Sequence, residues 1–333
     1  MANLEHLQIL KGGPQAIADW QQSNPYESLD LEATDLRTFN LKGASLFGAN
    51  MRHAVLDDMD LQECDLVSAV LSHASLKRAD LSNAVLTGVT ADHCNLTEAD
   101  LTCARLDQAD LSWSSLIGVT AVDADFSEAD LISADLTNSR LQRASFVDAV
   151  LIKARMAKVD ATDVSFRGAD LVDVVLKEAV LQDSCFVNAR LIHADLYGAN
   201  LTRAVLGDVE LSDLRHANLT DAHLEDSRAV DSHFNDADLH SAKLANADLR
   251  GADLRGADLT EADLSDANLS GTHLANVRVA TNDFWKDVAD RRAKPHNYER
   301  LVSEWEVIEH SSLYGKPTYV LRKRCQTMAD SDA

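Results

Sequence analysis

From Leu31 onward the apolar residues of this chain recur every five positions. Stepping by five to Leu211 visits 37 positions, of which 34 are Leu, Phe or Met and three are Ala91, Ala121 and Ala161. Two places before each centre, from Ala44 to Val209, the residue is Ala, Ser, Cys or Val, with Met59 as the exception. The residue just before the centre is often Asp or Asn, as in Ala79-Asp80-Leu81 and Ala99-Asp100-Leu101. A period of five matches neither the 3.6 of one helix face nor the 2 of one strand face. It predicts a chain that turns a corner every five residues. The centre and the small residue point inward, and three mostly polar positions point outward.

A second period is superposed on the first. Phe126, Phe146, Phe166 and Phe186 are centres spaced by four pentapeptides; His53, His73 and His93 are outward positions at the same spacing, and Trp113 continues their column. The spacing predicts a four-sided coil stacked on copies of itself at the interstrand distance of about 4.8 Å. The Phe side chains then form a buried stack, and the narrow interior explains the small residue two places before each centre. The frame slips once: Leu211 is followed by Leu214, and the period resumes at Leu219 and runs to Leu274. Ser212 and Asp213 are thereby assigned to a shortened or bulged corner.

The most regular stretch runs Ala247-Asp248-Leu249-Arg250-Gly251-Ala252-Asp253-Leu254-Arg255-Gly256-Ala257-Asp258-Leu259. This run of Ala-Asp/Asn-Leu-x-x resembles the pentapeptide-repeat protein family, and the resemblance extends over residues 29–279. It implies an all-β solenoid, a right-handed quadrilateral parallel β-helix. Some members of that family bind DNA gyrase by imitating the shape and charge of DNA, and so protect it from quinolones or toxins. That activity is an alternative function here.

The ends are aperiodic, and solenoids need caps on their terminal coils. Residues 1–28 are expected to form a short helical cap built on Leu4, Leu7, Ile9, Leu10, Ile17 and Trp20, broken in two by Gly12-Gly13-Pro14. Residues 280–333 are expected to be a mixed α/β segment. Phe284, Trp285 and Val288 lie on a helix that ends before Pro295. Trp305–Ile308 and Thr318–Leu321 read as two strands around Gly315-Lys316-Pro317. This segment is read either as a cap or as a small partner-binding element.

Charge narrows the function classes. The 333 residues include 54 acidic and 31 basic side chains, a net charge of −23. Residues 29–279 hold 42 acids and 21 bases, whereas 280–333 hold nine of each. Direct nucleic-acid binding needs basic groups on phosphates and is disfavoured. A basic surface on a protein partner fits instead. The five cysteines are odd in number and form no CxxC pair, which suits a reducing cytoplasm. No apolar stretch is long enough to span a membrane, and the first residues lack the basic and apolar pattern of a secretory leader.

No phosphate loop, GxGxxG, HExxH or GxSxG is present. Asp60, Asp80 and Asp100 form one outward column, read as a solvated side because paired catalytic carboxylates need a cleft. The column His53, His73, His93 and Trp113 is the sharpest polar feature. It admits three readings: a surface contact patch, plain ladder stacking, or a divalent-metal site. Cys64 and Cys94 occupy small inward positions, where a thiol acts as an apolar group. The sequence therefore points to a non-catalytic scaffold, with no cofactor, that presents an acidic rod surface to a protein partner.

Overall fold

The structure is a computed structural model that describes residues 3–207, 209, 211–286, 294–310 and 318–324. The chain divides into two compact units, Met1–Leu196 and Tyr197–Ala333.

In the first unit each pentapeptide is one straight side followed by one turn. In most repeats the residue before the centre makes a parallel bridge to the residue 20 further on, as in Asp60↔Asp80, Asp80↔Asp100 and Asp100↔Thr120. The turn closes when the N–H three places after a centre donates to that centre's carbonyl, as Ala84 does to Leu81 at 3.0 Å. The backbone accounting is then complete within one repeat. The Leu81 N–H donates to Asp100 O at 2.7 Å and the Asn83 N–H to Thr102 O at 2.9 Å, both on the next coil; the Asp80 N–H donates to Met59 O on the previous coil at 2.9 Å. One N–H remains, that of the residue after the centre. The Asp or Asn before the centre takes it: Ser82 N–H donates to Asp80 Oδ1 at 3.0 Å, and Thr102 N–H to Asp100 Oδ1 at 2.9 Å. This local side-chain to backbone bond is what short Asx residues make in turns. Much of the chain's acidity therefore has a structural origin.

The second turn residue is left-handed in almost every repeat, with φ of +55° to +61° from His53 to Arg203 at non-glycine positions. None of these residues is Val, Ile or Thr. Branching at Cβ is the feature least compatible with that region. The first turn residue carries no such restriction, and Thr, Val and Ile are common there.

The interior is as the inward positions require. Phe126, Phe146, Phe166 and Phe186 are fully buried and stack with centroids 4.8, 5.3 and 5.0 Å apart. Before the first coil stand two helices, α1 (Leu4–Leu10) and α2 (Gly13–Ser23), with Asn3 Oδ1 capping α1 by accepting from Glu5 N–H. Leu10 and Ile17 are buried. Leu4, assigned to the cap interior from its apolarity, is 77% exposed. His6 is buried in its stead. The Asp30 N–H donates to His6 Nδ1 at 2.8 Å, and the His6 ring packs edge-on against Trp20 at 5.0 Å.

In the second unit the bridge interval contracts to 18 residues at Asn200↔Asn218 and Val205↔His223, then returns to 20 at Asp213↔His233. The coil containing Ser212 and Asp213 is thus two residues short, but these two do not form the corner to which they were assigned. Asp213 bridges His233 and Ser212 O accepts from His233 N–H at 2.8 Å, so both stand on a straight side and the two turn positions after Leu211 are the ones missing. Parallel bridging continues to Asp258↔Arg278, and His296 adds to Asn268. Here the chain changes character. The strand β1 (Arg278–Val279) pairs antiparallel with β3 (Thr318–Lys323), which pairs antiparallel with β2 (Trp305–His310), giving the order β1-β3-β2. A short helix α3 (Tyr298–Glu304) precedes β2. Phe284, Trp285, Leu301, Trp305 and Leu321 form the buried side of this end. Residues 284–286 are helical. Val288 and the Gly315-Lys316-Pro317 turn lie outside the described residues.

Candidate interaction surface

The corner geometry positions the His53, His73, His93 and Trp113 side chains. All four are second turn residues with φ of +55° to +59°. Each donates its N–H to the first turn residue of the next coil, His53 to Ser72 O at 3.1 Å, His73 to Asp92 O at 3.0 Å, and His93 to Ser112 O at 2.9 Å. Identical backbones held one coil apart bring identical side chains into register. The imidazoles stack at 5.0 Å with interplanar angles of 8° and 4°, and the Trp113 ring continues the stack 6.2 Å from His93.

Stacking decides what this column can do. An imidazole nitrogen presents its lone pair in the ring plane. Parallel rings 5.0 Å apart therefore aim their lone pairs side by side, while a shared zinc-like ion needs each nitrogen about 2.0–2.1 Å away and converging. Among the described residues no group of three or more His, Cys, Asp or Glu is arranged to hold a metal ion. The column offers a row of ring edges with their outward N–H groups. Trp113 is 61% exposed. A bulky residue in the left-handed region is strained, and an exposed indole forgoes burial.

The acidic column is more occupied than its sequence suggests. Asp60 accepts from Lys42 Nζ at 3.2 Å, and Asp80 from the Gln62 amide, so neither stands as a free carboxylate. Elsewhere on the first unit Arg residues one coil away hold carboxylates. Arg78 pairs with Asp58 and Arg143 with Asp123, both at 2.6 Å, and the guanidinium hydrogen bonds keep these two carboxyls below the usual range. In the second unit Arg250 and Arg255 reach back two residues to Asp248 and Asp253 at 2.7 and 2.5 Å. Cys64 and Cys94 are buried; desolvation pushes their thiols up to about 11 and about 12, which leaves them inert. A cleft of about 310 Å³ lies between the Leu269–His273 corner and the end segment, lined by Arg300, Glu304, Trp305 and Lys323. Its Arg300 is already engaged by Glu304 at 2.6 Å. No helix of the described residues is long and apolar enough to cross a membrane.

Sequence reasoning found the histidine column and missed the rule that places it. The signal was present: Thr38 is the single β-branched residue at any second turn position of the periodic region.

Comparison with known proteins agrees with the five-residue period. A family model described as pentapeptide repeats matches residues 29–62, 49–88, 64–102, 94–131, 104–143, 212–251 and 237–276, and one described as a pentapeptide repeat region matches 139–216. No curated protein sequence matches significantly. Among solved structures, the chain is similar to HetL, a pentapeptide repeat protein involved in heterocyst differentiation regulation from the cyanobacterium Nostoc sp. strain PCC 7120. The identity is 28%, over 79% of this chain and 95% of that one, with a TM-score of 0.26. A trypsin-treated form of QnrB1, a plasmid-mediated fluoroquinolone resistance protein, is 20% identical over 62% of this chain and 92% of its own, with a TM-score of 0.32. A pentapeptide repeat protein from the thylakoid lumen of Arabidopsis thaliana is 20% identical over 43% and 69%, with a TM-score of 0.18. The family matches span most of the periodic region, and the chain belongs to the pentapeptide-repeat family.

Proposed function

We propose that this protein is a non-catalytic interaction scaffold. In this reading residues 29–279 form a right-handed quadrilateral parallel β-helix, capped by residues 1–28 and by 280–333, that presents its corners and acidic sides to a protein partner. The observation that carries it is Trp113, held in a strained backbone conformation and 61% exposed at the end of a stacked imidazole column. Neither feature helps the fold, whereas an exposed aromatic at the end of a rigid ladder suits recognition. The unpaired cysteines Cys64, Cys94, Cys103 and Cys185 support a reducing cytoplasm as its compartment.

The test is affinity capture from the native cytoplasm with the intact protein and with a His53→Ser, His73→Ser, Trp113→Ser variant, followed by reconstitution of each recovered protein in purified form. Stoichiometric binding that the variant loses, at unchanged thermal stability, supports the reading. Binding that the variant retains overturns the assignment of the column.

The net charge of the repeats favours a second reading, a DNA mimic that occupies the basic DNA-binding surface of DNA gyrase. Supercoiling by gyrase, with and without a fluoroquinolone, is measured at rising protein concentration. Salt-sensitive inhibition or protection at low micromolar protein would install that reading in place of the first.

A further inference from the structure

The histidine column does not end at Trp113. Its backbone N–H donates to Ile132 O at 2.8 Å, and the same corner then repeats with Ser133 on Ile152 at 2.9 Å, Lys153 on Val172 at 2.9 Å and Asp173 on Ile192 at 3.0 Å. Ile132, Ile152, Val172 and Ile192 are first turn residues on four successive coils, and all four are half-buried. At the other three corners of this unit the same position mixes Thr, Ser, Asp, Lys, Arg and Gln with scattered apolar residues, and in the second unit it is mostly polar. Nowhere else do four branched aliphatics follow one another. One corner of the first unit thus grades from imidazoles through an exposed indole into a continuous aliphatic stripe.

Two observations identify what fits it. The first is hydrogen bonding. The backbone carbonyls of all four stripe residues accept from the preceding coil, and the Ile132 and Val172 N–H groups donate to Asp130 and Asp170. With all four carbonyls occupied, the corner offers no row of acceptors to which a partner strand might add, and recognition falls to side chains. The second is spacing and charge. Rungs at about 4.8–5 Å lie close to the helical pitch of about 5.4 Å, so an apolar ridge of one residue per turn meets about one rung per turn over four turns. Residues 110–196 hold 14 acidic and eight basic side chains. Beside the stripe, Arg155 is spent on Asp135 and Arg190 on Asp170, at 3.5 and 2.5 Å.

We infer that the corner Trp113–Ile132–Ile152–Val172–Ile192 is a docking rail for an amphipathic α-helix of a partner protein, with an apolar ridge on the rail and Lys or Arg on its flanks. This rests on the reading of the chain as a protein-interaction scaffold and names the partner's chemistry.

The probe is a labelled synthetic helix of about 14 residues, four turns, with Leu at one position per turn and Lys elsewhere on the flanks. A peptide of the same composition with the ridge scrambled is the control. Binding is read by fluorescence anisotropy at physiological salt. The expected result is saturable binding, weakened about tenfold or more by scrambling and by the rail variant Ile132→Ser, Ile152→Ser, Val172→Ser. Ser and Thr are common at this turn position, and a thermal melt verifies that the variant folds. A second variant, Val67→Ser, Val147→Ser, Val187→Ser at another corner, retains full binding. Absence of binding, equal binding of the scrambled peptide, or equal loss in the second variant would overturn the rail. The capture experiment on the histidine column is scored separately, so the rail can fail while the scaffold reading stands.

Discussion

The repeats of the first unit and the three-stranded end of the second unit use the same backbone chemistry in opposite ways. In the repeats every partner is a fixed number of residues away, and the inward residues are drawn from a short list. In β1, β2 and β3 the pairing is antiparallel, Val320 faces both Arg278 and Ile308, and no period in the sequence announces it. The junction is nonetheless tight: Asn276 N–H donates to Leu321 O at 2.9 Å and Leu321 N–H to Val277 O at 2.8 Å. The difference teaches how a stack of parallel-bridged repeats is ended. A parallel coil exposes a row of donors and acceptors. Here an antiparallel strand from the aperiodic segment meets that row and covers it with Leu321, which is fully buried.

The sharpest way to break this comparison is to cut the core on each side. Leu136→Ala removes a fully buried centre from a close-packed interior, and a loss of about 2–5 kcal/mol is expected in a denaturant series. Leu321→Ala should fall at the low end, about 2 kcal/mol, because its neighbours on β3 are half-exposed and the site can relax. Equal losses would show that the end segment is packed as rigidly as the repeats.

Thiol chemistry separates inward from outward positions of the repeat. In a Cys325→Ser background at pH 8, Cys103 at its exposed corner should react with a thiol reagent about a hundredfold or more faster than Cys64 and Cys94, whose thiolate fraction burial suppresses. Comparable rates would place all three at similar depth.

The turn rule makes a smaller and more specific claim. Asn138 is a second turn residue with φ of +61°. Asn138→Val is expected to cost about 1–3 kcal/mol, whereas Thr137→Val at the neighbouring first turn position should change stability less than that. The donor accounting sharpens it further. Asp100→Ala strands the Thr102 N–H and should cost about 1 kcal/mol, while Asp100→Asn keeps the acceptor and should be near neutral. The same logic applies to Asp130, whose Oδ1 holds the Ile132 N–H at 2.9 Å.

The smallest effect concerns pH. The Arg255 hydrogen bond lowers the carboxyl of Asp253. A lowered native value means that its contribution is present above the unfolded value of about 3.9 and is lost as pH falls through the native one. Arg255→Ala should therefore flatten the loss of stability below about pH 4, seen as a shallower fall in the denaturant midpoint. An unchanged slope would assign acid sensitivity to other carboxylates.

How much was legible follows from the physics of each part. The five-residue period, the 20-residue recurrence and the buried Phe stack could be read directly, because inward positions of a narrow coil tolerate few side chains and the same constraint recurs in every repeat. The two-residue slip at 212–213 was legible for the same reason. The end segment was legible as two strands and a helix at Phe284 and Trp285. The pairing of β3 with the last coil joins Val277 to Leu321 and Arg278 to Val320, contacts distant in sequence that no local pattern encodes. For the surface, the sequence alone determined which residues share a column, since register follows from counting. Only the tertiary structure decided that the histidines stack face to face, that Trp113 stands 61% exposed, and that hydrogen bonds carry its column onto Ile132. Counting gives the order of residues along a corner. Ring orientation, exposure and the assignment of each N–H are properties of how neighbouring coils stack, and they exist only once the chain has closed on itself.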